Sequence, residues 1–400
     1  MNIAILTNVF FPVTNGVVHS IHLLSRGLKE LEKNVSVISS EHPKFNQQII
    51  SQYNINYNVV KLKSIYFPGI DYCIPNPFIS EHEEKLKDIK ADIIQINHPF
   101  MIYRLSKILK KYNPKSKVLF VYHTQYHMYH HYFRVIPKFI YNKFLDFHLK
   151  EIFEFVDAVV FPSLSIKKAV ENKFEKYKDK FIYISNPVDL DHIKHYNEDK
   201  VNHLKMRNNL EGKFIIGFVG RLEKEKNIDK LLELFKHILD FFREKSIENI
   251  RLVIVGGGTE YNNLVKYANS LRLNDYVIFL GKVDYKEIPN YYRIMDVFVT
   301  LSLTEVKPLA YLESLASGVP IVSFRAAGTD DLIIDKYNGF LIDYNPGYTD
   351  KFVEVIYNLY SNRELLKQIK YNSYLSSQNY CYLKIAGKYL ETYQDLCKRN

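Results

Sequence analysis

The chain has 400 residues, of which 47% are hydrophobic and 24% charged, and its formal net charge is +10. This length is too great for one ordinary domain and suits two of about 200 residues each, while the apolar content excludes a disordered chain. The three cysteines, Cys73, Cys381 and Cys397, show no zinc-binding or C-x-x-C spacing. Their pattern favours a reducing compartment and argues against a disulfide framework.

The N-terminal stretch, residues 1–10, enters a strand-like run with no basic segment before it, so we expect neither a signal peptide nor an anchor there. We find no run of about 18 uninterrupted apolar residues, which argues against a membrane-spanning helix. Residues 1–195 hold 26 Lys and Arg against 18 Asp and Glu (+8), whereas residues 196–400 hold 28 against 26 (+2). The basic half either meets an anionic surface or substrate, or is simply a solvated surface.

The first half alternates short β-branched runs with amphipathic stretches, which predicts a parallel sheet covered by helices. Strands are predicted at 2–6, 35–38, 93–96, 118–122 and 158–161, with a helix inside 16–31. The pattern breaks near 186–189, and a polar stretch follows over 191–212. We therefore predict an N-terminal domain over 1–195.

The alternation then restarts. The second half predicts strands at 214–219, 251–255, 277–280, 297–301 and 321–324, and helices at 227–242, 259–271, 287–294 and 308–316. We predict a second Rossmann-like domain over 196–377 and a last segment, 378–400, that packs back on the first domain. Two such domains in tandem place their strand ends at a shared cleft where ligands bind, although many enzymes share that plan.

Two glutamates eight positions apart form the strongest motif. Glu305 lies just past a predicted strand and Glu313 lies on the helix that follows. The first N–H groups of such a helix and its dipole favour a diphosphate, and the carboxylates can accept hydrogen bonds from sugar and ribose hydroxyls. The alternative is a pair of surface glutamates on an ordinary helix.

At this motif the sequence resembles the large family of retaining glycosyltransferases of the family four type, with the GT-B fold and a Glu-x7-Glu motif. The family pattern is matched in register at Ser302, Glu305, Glu313, Ala316, Gly318 and Pro320. The resemblance implies an α/β protein with two Rossmann-like domains facing a cleft. It also implies that Glu305 holds the transferred sugar and Glu313 the ribose of the donor.

Pro308 departs from the family, which usually has glycine at this position. Proline lacks a backbone N–H, but it is tolerated at the start of a helix. We therefore expect the amides of Leu309 and Ala310 to remain available to the donor.

Gly220 and Arg221 close the first strand of the second domain, and Lys226 follows. The resemblance assigns Arg221 and Lys226 to the donor pyrophosphate, where two cations can replace a metal ion. We find no Asp-x-Asp metal motif and expect no metal or other cofactor. Without the glutamate motif, a solvated basic loop would explain these residues equally well.

Glycines also follow other predicted strands. Gly257 belongs to a run of three glycines, and the resemblance puts the nucleobase near Lys282 and Val283. Gly16 links the first strand to the first helix, where family members carry a glycine close to the sugar and phosphate. In both places a plain structural turn is the alternative.

His123 follows a predicted strand, and the resemblance places a histidine of this type beside the transferred sugar. The sequence around His123 also looks like that of bacterial 1,2-diacylglycerol 3-glycosyltransferases within the family, which sit on the inner leaflet. A metal site at this histidine-rich stretch is disfavoured because no carboxylate lies nearby in the sequence.

An aromatic, basic stretch from 126 to 150 suits an anionic membrane interface. It contains the predicted acceptor or membrane residues Tyr126, Arg134, Lys138 and Lys143. A solvated helix with an aromatic core face is the alternative. We therefore expect a peripheral protein on the cytoplasmic side of the membrane.

The expected reaction is transfer of glucose or galactose from UDP-glucose or UDP-galactose to diacylglycerol, giving an α-linked glycolipid. The resemblance implies that the departing phosphate helps to deprotonate the acceptor, with Glu305, His123, Arg221 and Lys226 around the reacting centre. Alternatives are transfer to a polyprenyl, inositol-lipid or saccharide acceptor, or a sugar-nucleotide 2-epimerase that needs no acceptor. A nucleic-acid-binding protein is disfavoured, because no recognition module is found.

Overall fold

The computed structural model describes residues 1–67, 72–76, 80–133 and 136–399. It divides the chain into two compact units, one made of residues 1–187 and 382 onward, the other of residues 188–381. The changes of unit fall after residues 187 and 381, whereas the predicted domains end at 195 and 377. Val188 is the first residue of the second unit, and its amide donates to the carbonyl of Tyr380 at 2.8 Å.

Parallel strands build a sheet in each unit. The strands are β1 Asn2–Thr7, β2 Asn34–Ser40, β3 Asn58–Leu62, β4 Ser64–Phe67, β5 Tyr72–Pro75, β6 Ile93–Ile96, β7 Lys117–Val121, β8 Ala158–Phe161, β9 Phe181–Tyr183, β10 Phe214–Val219, β11 Ile250–Val255, β12 Val277–Gly281, β13 Val297–Thr300, β14 Ile321–Phe324 and β15 Gly339–Ile342. The described residues give a seven-stranded sheet of order β3-β2-β1-β6-β7-β8-β9 and a six-stranded sheet of order β12-β11-β10-β13-β14-β15, and β4 pairs with β5 as a separate ribbon.

Helices connect these strands and cover the sheets. They are α1 Gly16–Glu30, α2 Gln47–Gln52, α3 Ser80–Lys87, α4 Met101–Tyr112, α5 Lys138–Phe155, α6 Leu164–Lys173, α7 Leu190–Lys194, α8 Glu198–Arg207, α9 Ile228–Glu244, α10 Tyr261–Ser270, α11 Ile288–Arg293, α12 Leu309–Ala316, α13 Tyr348–Ser361, α14 Arg363–Ser377 and α15 Tyr382–Lys398. Short 3-10 helices occupy Tyr126–Phe133, Glu175–Lys180, Lys224–Lys226, Tyr285–Glu287 and Gln378–Tyr380.

The prediction of an α/β protein with two Rossmann-like sheets is confirmed. The central strands follow directly from buried β-branched runs, and all four residues of β6 and of β8 are buried. The polar stretch at 191–212, expected to be a break, contains α7 and α8. Their starts are fixed by side-chain caps, because Asp189 accepts from the amide of His192 and Asn197 from that of Lys200.

Strand order reverses once in each sheet. In the first sheet β1 lies between β2 and β6, so the chain builds outward from β1 in both directions. In the second sheet β10 lies between β11 and β13 in the same way. Ligands of open α/β sheets bind at the carboxyl ends of the strands beside such a reversal. This rule points to the loops after β1 and β6 in one unit and after β10 and β13 in the other.

The C-terminal helix α15 packs on α1 of the first unit, as the prediction for the last segment required. A Cβ atom on Gly27 of α1 would lie 2.7 Å from the Cβ of Ala386 and 3.1 Å from the carbonyl oxygen of Tyr382. The Tyr382 hydroxyl donates to the carboxylate of Glu30 at 3.0 Å. The absence of a side chain at Gly27 therefore lets the two helices approach closely.

Within the described ranges, no helix is both long enough and apolar enough to cross a lipid bilayer.

Two helical glycines of the first unit offer a matched stability test. Gly27→Ala should lower the free energy of unfolding by about 1–3 kcal/mol, since overpacking at α15 outweighs the gain in helix propensity. Gly387→Ala on α15 meets no atom within 4 Å and should raise it by about 0.5–1 kcal/mol. Urea denaturation of each variant measures both values. Equal effects of the two substitutions would contradict the tight α1–α15 packing.

Candidate functional site

The predicted donor residues of the second unit that lie in loops follow the carboxyl ends of its strands. Gly220 and Arg221 follow β10, Gly257 follows β11, and Lys282 and Val283 follow β12. The strands pair in parallel, so these loops lie at one edge of the sheet. Glu305 follows β13, the neighbour of β10 on its other side, and joins the same edge.

The backbone of the loop after β10 passes so close to the run of three glycines after β11 that side chains there would collide with it. A Cβ on Gly256, which has φ +143°, would lie 1.8 Å from the carbonyl oxygen of Gly220. A Cβ on Gly258 would lie 2.3 Å from the carbonyl oxygen of Leu222, and the Leu222 amide donates to Gly257 at 2.9 Å. The outer two glycines therefore serve this close contact between loops, whereas Gly257 faces Lys282.

Lys226 and Glu305, predicted separately for the pyrophosphate and the sugar, form an ion pair with each other. Their side chains are only 17% and 12% exposed. Asn227, the next residue, adopts the left-handed conformation (φ 52°) and its side-chain amide donates to the Leu301 carbonyl at 2.8 Å. The loop after β10 is thereby fastened to the end of β13, and the pair lies at the reversal of strand order.

Arg221 is an exposed cation of this edge. Its guanidinium lies 3.4 Å from the carboxylate of Glu225, whose side chain is buried. The backbone carbonyl of Glu225 in turn accepts from the hydroxyl of Ser302 at 3.4 Å. One face of Arg221 is thus held by a buried acid, while about half of its side chain remains accessible to an anion.

Glu313 lies on α12 and is buried. The Tyr292 hydroxyl donates to its Oε2 at 3.1 Å. Burial raises the pKa of Glu313 to about 7, against the opposing effect of hydrogen bonds from Tyr292 and Tyr285. The carboxyl is therefore poised between its neutral and ionised forms near neutral pH, and a ligand that donates hydrogen bonds would favour the ionised form.

The start of α12 lies beside these residues. Pro308 is the N-cap with an extended ψ of 133°, and Leu309 is the first helical residue. The amides of Leu309 and Ala310 belong to the first turn, where N–H groups have no carbonyl partner within the helix. Proline at the N-cap removes one donor and leaves these two directed along the helix axis.

The sequence interpretation missed the residues that hold the Glu305 loop from behind. A Cβ on Gly328, at φ +92°, would lie 2.3 Å from the carbonyl oxygen of Glu305. The buried ammonium of Lys307 lies 3.6 Å from Asp331 and 5.1 Å from the ring centre of Tyr380. Burial lowers the pKa of Lys307, opposed by the carboxylate of Asp331. The available signal was a lysine between Val306 and Pro308 in the run that leads into the apolar start of α12.

In the first unit, Gly16 begins α1 directly after the loop that follows β1. The Asn15 side chain caps this helix by accepting from the amide of Val18 at 3.0 Å. His123 follows β7, and His98, which the sequence interpretation missed, follows β6. These strands are neighbours in the parallel sheet, so the three loops meet at its carboxyl edge beside the strand reversal.

Both histidines are held neutral. Desolvation lowers the pKa of His98 to about 4 and that of His123 to about 3, and the neighbouring His98 adds to the latter effect. The Asn8 amide donates to Nδ1 of His98 at 3.2 Å, so that nitrogen is an acceptor. Nε2 of His123 lies 3.0 Å from the side-chain oxygen of Asn97. The first unit therefore presents uncharged imidazoles at its edge.

The predicted membrane residues do not share one environment. Lys138 and Lys143 lie exposed on α5. Arg134 lies outside the described residues. Tyr126 is 8% exposed and packs edge-on against Tyr122 with ring centres 5.4 Å apart. The ring therefore belongs to the aromatic interior beneath the surface, and the role of Tyr126 at the acceptor or the membrane stays a prediction.

Helix α5 has an exposed apolar face that the sequence analysis did not identify residue by residue. Its buried side carries Tyr141, Leu145 and Leu149, which is the ordinary core-facing stripe. The solvent-facing side is also apolar. Large hydrophobic side chains are exposed there by 37–70%, namely Phe139, Ile140, Phe144 and Phe147 on the helix and Ile136 just before it. We call these five residues the α5 face. Several large apolar side chains exposed on one helix are typical of interaction surfaces.

Comparisons with known proteins identify the family. The model described as Glycosyltransferase Family 4 matches residues 14–192, and the one described as Glycosyl transferases group 1 matches residues 200–376. The chain belongs to the GT-B glycosyltransferases. This glycosyltransferase is 27% identical to the alpha-monoglucosyldiacylglycerol synthase of Acholeplasma laidlawii, over 100% of this chain and 98% of that protein. The protein of the same name from Streptococcus pneumoniae is 27% identical over 85% of this chain and 75% of its own.

Solved structures agree with the GT-B fold. Anabaena Alr3699/HepE in complex with UDP-glucose matches with a TM-score of 0.76 at 16% identity, over 99% of this glycosyltransferase and 100% of that chain. Sucrose-phosphate synthase from Thermosynechococcus elongatus has a TM-score of 0.76 at 17% identity, with coverage of 99% and 98%. At such identities the likeness establishes the fold alone. Among the described residues of the glycosyltransferase, no group of three or more His, Cys, Asp or Glu could hold a metal ion.

The raised pKa of Glu313 makes the stability of the glycosyltransferase depend on pH. The folded state favours the protonated carboxyl, so its contribution is fully present below about pH 4.5 and is lost as pH rises through 7. Glu313→Gln mimics the protonated form at every pH. Relative to this variant, the wild type should lose up to roughly 3 kcal/mol of stability between pH 4.5 and 8.

Denaturation of both proteins across this pH range measures the difference, with attention to separate transitions of the two units. The same substitution at the exposed Glu354 on α13 is the matched control. A pH-independent difference between wild type and Glu313→Gln would show that folding does not raise the pKa of Glu313.

Proposed function

We propose that this enzyme transfers glucose or galactose from a UDP-sugar to diacylglycerol, with retention of configuration at the anomeric carbon, giving an α-linked monoglycosyl diacylglycerol. The observation that carries the proposal is the full-length similarity to two alpha-monoglucosyldiacylglycerol synthases. The UDP-glucose complex of a protein with the same fold supports the donor class. The α5 face supports an acceptor that resides in a membrane.

In this proposal the second unit binds the donor. Arg221 and Lys226 neutralise the diphosphate, and the amides of Leu309 and Ala310 at the start of α12 donate to its oxygens. Charge neutralisation by two cations removes the need for a metal ion. The exposed Arg221 can reach an incoming anion without giving up its buried partner Glu225.

The other donor contacts follow the same edge of the sheet. Glu313 accepts hydrogen bonds from the ribose hydroxyls, which draws its raised pKa downward on binding. Gly220 and Gly257 allow the nucleotide to approach the backbone, and Lys282 and Val283 frame the base. Donor binding should therefore release a proton from Glu313 when the solution is near pH 7.

Transfer breaks the bond between the anomeric carbon and the β-phosphate oxygen and forms a bond from that carbon to the acceptor oxygen on the same face. The acceptor proton passes to the departing phosphate, so no covalent protein nucleophile is required. Within the second unit Glu305 orients the sugar hydroxyls. Within the first unit Gly16 and His123 are the residues proposed to contact a sugar hydroxyl. The ammonium of Lys226 interacts with both Glu305 and the leaving diphosphate. Its attraction to the diphosphate becomes stronger as the leaving group gains negative charge.

Membrane docking is the second part of the proposal. The α5 face would insert aromatic side chains at the headgroup level of the inner leaflet, while Lys138 and Lys143 attract anionic lipids. Each well-placed cation contributes about 1 kcal/mol at an anionic surface. The basic balance of residues 1–195 acts in the same direction. We therefore propose a peripheral enzyme at the cytoplasmic side of the membrane that has no nucleic-acid partner.

A transferase assay tests the reaction. Purified enzyme is incubated with vesicles containing diacylglycerol and, in separate samples, radiolabelled UDP-glucose or UDP-galactose. Lipid-extractable label with an α-linkage, determined by NMR of the product, is expected with one of these donors. Glu305→Ala should reduce turnover by about 10²–10³-fold or more, because it removes a charge that acts on the reacting sugar.

Glu354→Ala on α13 is the control and should retain full turnover. Release of UDP and a new sugar epimer without acceptor would instead identify a 2-epimerase. Label transferred only to a polyprenyl, inositol-lipid or saccharide acceptor would overturn the diacylglycerol assignment. Wild-type turnover by Glu305→Ala would overturn its role in the site.

A vesicle-sedimentation assay tests docking. The double variant Phe144→Ser/Phe147→Ser should bind anionic vesicles at least tenfold more weakly, since each phenylalanine contributes up to about 1.5–3 kcal/mol when fully inserted. Lys138→Glu/Lys143→Glu should weaken binding mainly at low salt, because charges of this kind are screened.

Met206→Ser, at a comparably exposed hydrophobic residue of α8, is the matched control. It should bind vesicles like the wild type. Equal vesicle binding by the α5-face variant and this control would exclude the α5 face as the docking surface, while leaving the donor chemistry untouched.

A further inference from the structure

A chain of buried polar side chains links the C-terminal helix to His123. The Tyr393 hydroxyl on α15 donates to the side-chain oxygen of Gln95 at 2.5 Å. The Gln95 amide donates to the side-chain oxygen of Asn97 at 3.1 Å, and Nε2 of His123 lies 3.0 Å from the same oxygen. All four residues belong to the first unit. We call Tyr393, Gln95 and Asn97 the relay.

The relay is unusual for its position in the fold. Tyr393 and Asn97 are fully buried, and Gln95 is 1% exposed. Gln95 lies in β6, where the other residues are Ile93, Ile94 and Ile96. A strand buried on both faces ordinarily carries apolar side chains only, and a polar group there is tolerated when its hydrogen bonds are satisfied. Packing alone does not require a glutamine at this place.

Hydrogen bonds at both ends orient the Asn97 amide, one to Leu6 and one from Gln95. Its nitrogen donates to the Leu6 carbonyl at 3.1 Å, so its oxygen faces Gln95 and His123. An amide oxygen can only accept hydrogen bonds, and the imidazole must therefore supply the proton from Nε2. In the neutral ring the other nitrogen, Nδ1, is then an acceptor. Within the described residues, no hydrogen bond reaches Nδ1 of His123.

The surroundings keep this ring uncharged. Desolvation lowers the pKa of His123 to about 3. His98, whose own pKa is lowered to about 4, is the titratable neighbour whose charge acts on His123 among the described residues. Both rings are neutral across physiological pH, so the tautomer rather than the charge decides what His123 offers a ligand.

We propose that Tyr393, Gln95 and Asn97 are positioning residues that hold His123 with its proton on Nε2 and with Nδ1 ready to accept a hydrogen bond from a hydroxyl of the bound sugar. The last step rests on the proposed function, whereas the tautomer does not. Helix α15 therefore has two roles in the first unit. It packs against α1 at Gly27, and through Tyr393 it determines which nitrogen of His123 carries the proton.

The tautomer is measured directly in the full-length wild type labelled with ¹⁵N-histidine. Long-range ¹H–¹⁵N correlation spectra distinguish the protonated from the unprotonated ring nitrogen, and the His123 signals are those lost in His123→Gln. We expect Nε2 to be protonated and the signals to stay unchanged from pH 5 to 9. An Nδ1–H tautomer, or titration near pH 6.5, overturns the relay.

Tyr393→Phe removes only the hydroxyl that starts the relay. Gln95 then loses its donor, and the His123 signals should move toward a mixture of tautomers. Turnover should fall about fivefold with the KM for the UDP-sugar nearly unchanged, the effect of one lost hydrogen bond. Tyr389→Phe, one turn earlier on the same buried side of α15, is the matched control and should leave both readouts unchanged.

Asn97→Asp replaces the acceptor with an anion of the same shape. The carboxylate should raise the pKa of His123, so that turnover gains an acidic limb that the wild type lacks, since a protonated Nδ1 cannot accept a hydrogen bond. If the His123 signals are unchanged in both Asn97→Asp and Tyr393→Phe, the proposal is overturned. If the tautomer changes while turnover does not, the relay stands and the role of His123 in sugar binding falls.

Discussion

The ion pair between Lys226 and Glu305 is the interaction on which the second unit's site depends. It joins the loops after β10 and β13, the two strands between which the strand order reverses. Both side chains are largely buried, so removal of one partner would leave the other charge poorly solvated. The pair therefore keeps a cation and a carboxylate in place before any ligand arrives, and a diphosphate can enter as a further partner of the same cation.

The surrounding packing serves that pair. Gly256 and Gly258 admit the loop after β10, and Gly328 admits the backbone of Glu305. Behind the loop, Lys307 and Asp331 form a second buried ion pair. These contacts are needed because apolar burial alone cannot hold a loop that carries charged side chains. Charged groups that are already in position need no rearrangement when the reaction occurs.

The two units use different electrostatics at equivalent places. The second unit gathers cations and carboxylates, which suits the diphosphate that we propose to bind there. The first unit presents neutral histidines, His98 and His123, held by amide and backbone hydrogen bonds. Neutral hydrogen-bonding groups suit sugar hydroxyls, because their hydrogen bonds depend on the orientation of the hydroxyl and they do not attract anions. The proposed roles of the two units thus agree with the groups found in each unit considered separately: charged side chains in the second and neutral imidazoles in the first.

Much of the fold could be predicted because the central strands are buried, β-branched runs. The strands at 93–96, 158–161, 214–219 and 321–324 coincide with the predictions, whereas β3, β9 and β15 at the sheet edges were missed. Edge strands are short and pair on one side, so their sequence signal is weak. The helices α7 and α8 were missed because their polar sequences resemble a linker, although Asp189 and Asn197 cap them.

The sequence by itself determined the family, the alternation of strands and helices, and the chemical types in the motifs, because spacing along the chain carries that information. Only the tertiary structure decided which groups meet. It paired Lys226 with Glu305 and Lys307 with Asp331, buried Tyr126 and exposed Phe144 and Phe147. It also connected Tyr393 to Gln95 across nearly three hundred residues. Such contacts depend on which strands become neighbours, and hydrophobic periodicity does not encode strand order.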